Sequence, residues 1–385
     1  MKIRVVGFNF SAIGGLEIVS KAIASVLARR GHDVECLALH ESGSVATDGY
    51  RIVGMMPGFV GARSLAHRMP SLFPQTRLRN HLRDADIVIA AHAQTLPRVL
   101  PVLDSFSARP PTVTWLHGRE VWANLGRKLA PWLHKSDHLV AVSHFTAETV
   151  RKLLPEAARP TVIHNPVDTD VFFPAPSPAD IRRHHILTVG RHDPDSHHKG
   201  YDVLIEAMGL LRRSRPDLPL KLTITGTGPL LENHRRQIAD RSLGNVVSLA
   251  GRVSRDTLRS LYQATDLFAF PSRHESANGE EFGEGFGVVN TEAAASGRPV
   301  ITSTHGGCPE TVIDGITGFA IDPTSPALVA RKIEEVFNMP AEERDAMGAR
   351  GRAMAVERFS TAVFEQSVGD FVTQCAAGAR LSWRA

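Results

Sequence analysis

At 385 residues, with 43% hydrophobic, 22% charged and 6% aromatic side chains, the chain is long enough for two packed domains and too apolar to be disordered or fibrous. Its three cysteines, Cys36, Cys308 and Cys375, are scattered, odd in number and without metal-type spacing, which excludes a disulfide framework and fits a reducing compartment. The formal charge of +4 is small, and no apolar run reaches the roughly 18–20 residues needed to cross a bilayer, so the expected setting is cytoplasmic.

In chain order, Met1 to Gly7 reads as a first strand rather than a signal peptide, because its short apolar run ends in a glycine loop. Strands are expected at 2–9, 33–39, 50–55, 85–91, 112–117, 137–143 and 160–164, with helical patterns in most of the gaps. Over 15–30, Leu16, Val19, Ile23, Val26 and Leu27 recur at helical spacing, and Gly31 closes the helix. The stretch 49–83 holds Arg51, Arg63, Arg68, Arg77, Arg79 and Arg83 and no acid, interleaved with apolar residues such as Met56, Phe59 and Leu72. It suits an anionic membrane surface or a solvated basic face. Without an aromatic stacking platform, nucleic acid is not an expected partner.

Four prolines in the thirteen residues from Pro166 to Pro178 predict a stiff linker. The first domain is expected over 1–168, the linker over 169–182 and the second domain over 183–358. The second domain repeats the pattern, with strands at 185–190, 220–225, 246–250, 266–270, 299–302 and 317–321 and helices near 200–213, 229–241, 254–263 and 286–296. Beyond 325 the pattern is helical, and the last segment, 360–385, is expected to pack back on the first domain. Such alternation predicts two doubly wound, Rossmann-like parallel-sheet α/β domains facing across a cleft, with ligands beyond the carboxyl ends of the strands.

The strand ends therefore hold the candidate site. Gly14 and Gly15 follow the first strand, where the backbone can approach a phosphate or sugar; a tight turn is the plain alternative. A G-x-G-x-x-G fingerprint is absent. His117 ends the strand Val113–Leu116 and could exchange a hydrogen bond with a hydroxyl, although a lone histidine is as readily structural. Arg191 and Lys199 place two permanent cations beside a helix start, a setting for a diphosphate whose charge grows as it departs; an ordinary basic loop is the alternative. Between them His192, His197 and His198, with Asp193 and Asp195, show no regular ligand spacing, so no metal is expected. Gly226, and Gly251 with Val253, repeat the glycine-permitted approach at the next two strand ends.

The sharpest feature is Glu284-Gly285-Phe286-Gly287-Val288 continuing to Glu292: two acids with seven residues between them, the first before a helix and the second about two turns inside. One carboxylate can accept from sugar hydroxyls and the other from a ribose, while amides between them face phosphates. A glycosidase pair would need opposed faces of the sugar.

In this order and spacing the motifs resemble those of the family-4 retaining glycosyltransferases of GT-B fold. The resemblance runs through Gly14-Gly15, His117-Gly118, Val142-Ser143, Asn165-Pro166-Val167-Asp168, Val189-Gly190-Arg191 and Lys199-Gly200. It continues through Gly226, Gly228-Pro229, Gly251, Tyr262, Asp266, Pro271-Ser272, the Glu284/Glu292 pair, Gly297, Pro299-Val300, Gly306-Gly307 and Pro309-Glu310. It implies that Arg191 and Lys199 bind a donor diphosphate, Glu292 the ribose, and Glu284 with the amides of Gly285 to Gly287 the transferred sugar. His117 would contact the sugar near the reaction centre and Gly15 the phosphate side, with Gly14, Gly226, Gly251, Val253, Phe286 and Val288 completing the donor set. It further implies no cofactor and a metal-independent reaction. The chain departs from the family pattern in a longer Arg191–Lys199 gap and an expanded Ser272–Gly283 stretch, in which Glu275 is a decoy for the first motif acid.

The expected activity is retaining transfer of a hexose (mannose, glucose, galactose or N-acetylglucosamine) from a UDP- or GDP-sugar to a hydroxyl of a glycan or lipid-linked acceptor. The expected setting is lipopolysaccharide, exopolysaccharide or glycolipid assembly, in the cytoplasm or peripherally at the inner membrane face. A sugar-nucleotide epimerase and a non-catalytic sugar-nucleotide or glycan binder are the alternatives.

Overall fold

Strands covered on both faces read as unbroken apolar runs, and Ile87–Ala90 and Leu267–Phe270 are buried at every position. A computed structural model describes residues 1–11, 14–47, 49–56, 75–156, 159–175 and 184–377. The chain divides into two compact units, Met1–His164 with Phe364–Ala385, and Asn165–Val363.

In chain order the first unit holds β1 (Lys2–Gly7), α1 (Gly15–Arg29), β2 (Asp33–Ala38), β3 (Ser44–Ala46), β4 (Arg51–Gly54), α2 (Gln75–Leu82) and β5 (Ile87–Ala90). It continues with α3 (Leu96–Leu103), β6 (Thr112–Leu116), α4 (Ala123–Leu133), β7 (His138–Ala141), α5 (His144–Leu153) and β8 (Thr161–Val162). The sheet order is β3-β4-β2-β1-β5-β6-β7-β8, parallel apart from the short β3. Helix α1 buries Val19, Ile23, Val26 and Leu27, the face its periodicity predicts.

The second unit holds β9 (His185–Val189), α6 (Tyr201–Ser214), β10 (Lys221–Thr225), α7 (Leu231–Asp240), β11 (Val247–Gly251), α8 (Arg255–Ala264) and β12 (Leu267–Phe270). A small hairpin, β13 (Glu275–Ala277) with β14 (Glu280–Phe282), precedes α9 (Val288–Ala295), β15 (Val300–Ser303), β16 (Gly318–Ile321), α10 (Pro326–Asn338) and α11 (Ala341–Phe359). Its sheet, β11-β10-β9-β12-β15-β16, is wholly parallel, and the order in which its strands are added reverses between β9 and β12, the doubly wound pattern. The last helix, α12 (Thr361–Ala376), belongs to the first unit from Phe364 onward, where Phe364 meets Trp115 and Phe371 meets His138.

The expected boundary at 168 moves to 164. Residues just after His164 are captured by the second unit: Val167 donates its N–H to Phe359 (2.7 Å), and Phe172 lies edge-on to Tyr262. Arg352 donates to the carbonyls of Phe172 (2.7 Å) and Thr169 (3.1 Å). Prolines keep this segment out of a helix but leave its carbonyls free to be bound. Of the expected linker 169–182, residues 176–182 lie outside the described residues, as do 57–74 of the basic stretch, with Arg63 and Arg68. Among the described residues, no helix is long and apolar enough to cross a membrane.

Part of the basic stretch is spent inside the first unit. Arg4 on β1 and Glu35 on β2 face each other across the ladder, both nearly buried, 3.3 Å apart. Glu35 also holds His81 (2.9 Å) and Arg51, and Arg79 lies over the Phe106 ring. Burial alone would raise the Glu35 carboxyl, but hydrogen bonds from Arg51 and His81 with the charge of Arg4 take it below the ordinary carboxylate value. Removing the acid would take from Arg4 its buried counter-ion and leave it the exposed Asp84 (3.4 Å) and Asp33 (3.6 Å). Glu35→Ala is expected to cost about 1.5–3 kcal/mol in denaturant unfolding at pH 7. A loss under about 1 kcal/mol, the scale of a surface pair, would show the cluster to be dispensable.

Candidate active site

The order reversal between β9 and β12 puts the exit loops of both strands at the position where doubly wound sheets bind ligands. The exits of β9 and β10 interlock through their backbones. Gly190 N–H donates to Thr225 (3.3 Å), His192 N–H to Thr227 (3.0 Å) and Leu230 N–H to the His192 carbonyl (2.9 Å). Gly226, at φ +119°, presses so near the Gly190 carbonyl that a Cβ would overlap it. Its own N–H donates to Gly251 at the end of β11 (2.7 Å), with Val253 two residues beyond.

On this frame stand the two cations. Arg191 is 71% exposed, with Nη1 3.0 Å from Asp193 Oδ2. Lys199 ends a 3-10 turn, Pro194–Lys199, and Gly200 follows at φ +75°, against the Pro271 carbonyl where no side chain fits. The lysine stem runs past Gly190, its Nζ is paired with Glu284 Oε1, and the Phe270 ring lies 5.2 Å from it. Lys199 is 14% exposed and Glu284 18%. His198, 9% exposed, brings Nε2 to 3.5 Å from the same carboxylate oxygen.

Glu284 sits in the turn between β14 and α9, its carbonyl accepting the Gly307 N–H (2.9 Å). Gly287 caps α9, so Gly285, Phe286 and Gly287 form the approach to the helix and Val288 opens it. First-turn amides of a helix point back along its axis, here toward the loop carrying Glu284. Burial would raise the Glu284 carboxyl, but the charge of Lys199 and hydrogen bonds from His198 and Lys199 outweigh it, and its pKa falls from 4.5 to about 2. Glu292, inside α9, has the opposite fate. Burial lifts its pKa from 4.5 to about 7, against the hydrogen bond from the Tyr262 hydroxyl (2.9 Å) and the charge of Arg255.

The three histidines of the β9 exit go to different partners. His192 is buried, stacked on Tyr201 at 4.3 Å, with Nε2 3.2 Å from the Thr225 carbonyl. His197 Nε2 lies 3.1 Å from Glu275, and His198 faces Glu284. The expanded Ser272–Gly283 stretch forms the β13–β14 hairpin, turning at Asn278-Gly279, both at positive φ. Asn-Gly is the strongest short-range hairpin signal, and it is what the sequence reading passed over.

Gly14, Gly15 and His117 stand in the first unit. Gly14 caps α1 and Gly15 begins it; residues 12–13 of that loop lie outside the described residues. The loop is tied by Glu41, whose Oε1 accepts the N–H groups of Phe10 and Ser11 at 2.8 Å. His117 directly follows β6, donates its backbone N–H to Glu120 (2.6 Å) and places Nε2 2.9 Å from the Ala91 carbonyl. Burial holds its imidazole below the usual histidine range, so the ring is neutral at pH 7 with Nε2–H on that carbonyl, and Nδ1 is the acceptor. Glu120, buried behind it and 3.8 Å from His92, is a site neighbour that only the His117-x-x-Glu120 spacing would have hinted at.

The model of "Glycosyltransferase Family 4" matches residues 13–171, and that of "Glycosyl transferases group 1" matches 174–354. The chain belongs to glycosyltransferase family 4. It is similar to a GDP-mannose-dependent alpha-(1-6)-phosphatidylinositol monomannoside mannosyltransferase from Mycolicibacterium smegmatis, 29% identical over 90% of this chain and 91% of that one. Its fold is that of sucrose-phosphate synthase from Thermosynechococcus elongatus (TM-score 0.81, 19% identity, 98% and 100% of the two chains). It is also that of Anabaena HepE solved with UDP-glucose (TM-score 0.77, 19% identity, 97% and 100%). This family-4 enzyme is a GT-B hexosyltransferase that uses a sugar nucleotide. Neither an epimerase nor a non-catalytic binder finds support among these relatives.

The two motif acids load stability with pH in opposite senses. The depressed Glu284 contributes stability above pH 4.5 that is lost as pH falls toward 2; the raised Glu292 costs stability as pH rises from 4.5 through 7. Glu292→Gln is therefore expected to raise the melting temperature at pH 8 and leave it unchanged near pH 4.5, while Glu284→Gln lowers it at pH 7. Thermal scans of both variants across this range check the signs, and a Glu292→Gln that destabilises at pH 8 would contradict the assignment.

Proposed function

We propose that this family-4 enzyme is a retaining, metal-independent transferase that moves mannose from GDP-mannose to a hydroxyl of a lipid-linked glycan. The observation that carries the donor reading is the Lys199–Glu284 pair at the opening of α9, with the lysine stem packed on Gly190 and the exposed Arg191 next in the chain. The choice of GDP-mannose and of a lipid-linked acceptor is supported by the Mycolicibacterium relative, a GDP-mannose-dependent mannosyltransferase of phosphatidylinositol monomannoside. A lipid-linked acceptor also supports work at the cytoplasmic face of a membrane.

In this reading Arg191 and Lys199 hold the donor diphosphate, with the first-turn amides of α9 adding their partial charge. Lys199 has three donors, so it serves a phosphate oxygen while keeping Glu284. Glu284, ionised throughout the neutral range, accepts from hexose hydroxyls, and Glu292 accepts from the ribose. As the bond from the anomeric carbon to the diphosphate oxygen breaks, its electron pair stays on the phosphate, where the two cations stabilise the growing charge. They do the work that a divalent ion does in other phosphate chemistry. The acceptor hydroxyl bonds to the same face of the anomeric carbon and yields its proton to the departing phosphate. His117, on the first unit, offers its Nδ1 lone pair as the acceptor of a hydrogen bond from a sugar hydroxyl.

Incubation with GDP-mannose and UDP-glucose in turn is expected to raise the melting point with GDP-mannose alone. The product's anomeric configuration, read by NMR, is expected to match the donor's. Arg191→Ala is expected to lower kcat/KM about 100-fold with an unchanged melting temperature. Wild-type turnover in that variant, or an inverted product, would defeat the mechanism.

A further inference from the structure

The two departures from the family pattern, the long Arg191–Lys199 loop and the inserted Ser272–Gly283 stretch, meet in the structure. Arg273 is where they meet. Its guanidinium, 17% exposed, reaches Asp202 in the first turn of α6 (2.9 Å), Glu275 on β13 (2.6 Å) and the carbonyl of His197 (3.0 Å). Its backbone N–H donates to the carbonyl of His198 (2.6 Å). The two carbonyls immediately before Lys199 are thus both taken by one residue. The hairpin adds a second clasp, since His197 pairs with Glu275 (3.1 Å) and lies 4.8 Å from the Phe282 ring. His274 with Glu281 (3.2 Å) closes the hairpin on itself.

Lysine carries its charge on a flexible four-carbon stem, so the place of its ammonium depends on how firmly its backbone is held; arginine, with five donors in a rigid fork, suits the holding. We propose that Arg273 is a positioning residue for the donor hexose: by tying the inserted hairpin to the Pro194–Lys199 turn, it holds Lys199 and His198 against Glu284. Glu275, the decoy acid of the sequence, is with Asp202 one of the two counter-ions of this clamp. The inference rests on Glu284 being the hexose-binding acid.

The test compares wild type, Arg273→Ala and Arg273→Lys for kcat and KM with the sugar nucleotide, and for Kd of the free nucleoside diphosphate by calorimetry. Arg273→Ala is expected to lose about 10- to 100-fold in kcat/KM, because a small misplacement of a contacting group costs that much. Binding of the free nucleoside diphosphate, which lacks the hexose and keeps Arg191 and the α9 amides, is expected to weaken by clearly less than this as Lys199 loses its hold, and Arg273→Lys to recover part of the loss. Wild-type kcat/KM in Arg273→Ala, or equal weakening of sugar nucleotide and free diphosphate, would overturn the proposal. If Arg273→Ala does not fold, Glu275→Gln carries the same comparison: a smaller loss with the same split supports the clamp, and wild-type kinetics overturns it. A wild-type chain that binds free nucleoside diphosphate but gains nothing from the attached hexose would instead defeat the reading of Glu284.

Discussion

A lysine and a glutamate, each less than a fifth exposed, are held together at the carboxyl edge of the second sheet, and the local architecture answers to that pair. Taking either charge from water alone is expensive; together, with a histidine and an aromatic ring alongside, the cost is offset and the carboxylate stays ionised. The pairing fixes an anion and a cation side by side at the opening of α9, which is the arrangement the proposed donor binding draws on. Eight positions along the chain, the same residue type meets a different surrounding. Glu292 has a tyrosine hydroxyl rather than an ammonium against it, and its proton is held to near neutrality. One helix thus carries a permanent anion at its mouth and a titrating acid in its body, divided by environment alone.

The frame beneath is made of backbone rather than side chains. The exits of β9, β10 and β11 are stitched amide to carbonyl, and Gly226 permits an approach that any Cβ would block. Loops joined this way have little freedom to reshape themselves. Variation of the site is left to what is added on top of them, here the inserted hairpin and the lengthened turn it grips.

Much of this was legible from the residues. Buried parallel strands announce themselves as apolar runs such as Leu267–Phe270, and strand–helix alternation gave the doubly wound order; the seven-residue gap between Glu284 and Glu292 found both acids. What escaped depends on meetings between distant segments. The prolines after His164 mark a chain that is not helical, but which unit captures it is decided by Arg352, about 180 residues away. Arg51 looks like part of a basic surface until Glu35, on the neighbouring strand, is seen to hold it. Strands of three residues are too short to show a period, so the β13–β14 hairpin was visible only in its turn dipeptide, and the partners of Arg273 lie on three separate elements.

The hairpin is a short lever, with its root beside Glu284 and its tip, Ser276 to Gly279, exposed to water. Exposed turns of this kind accept cargo without disturbing what they connect. A fluorophore attached at the tip would ride on the element clasped to the Pro194–Lys199 turn, making movement of that turn readable as light rather than as product.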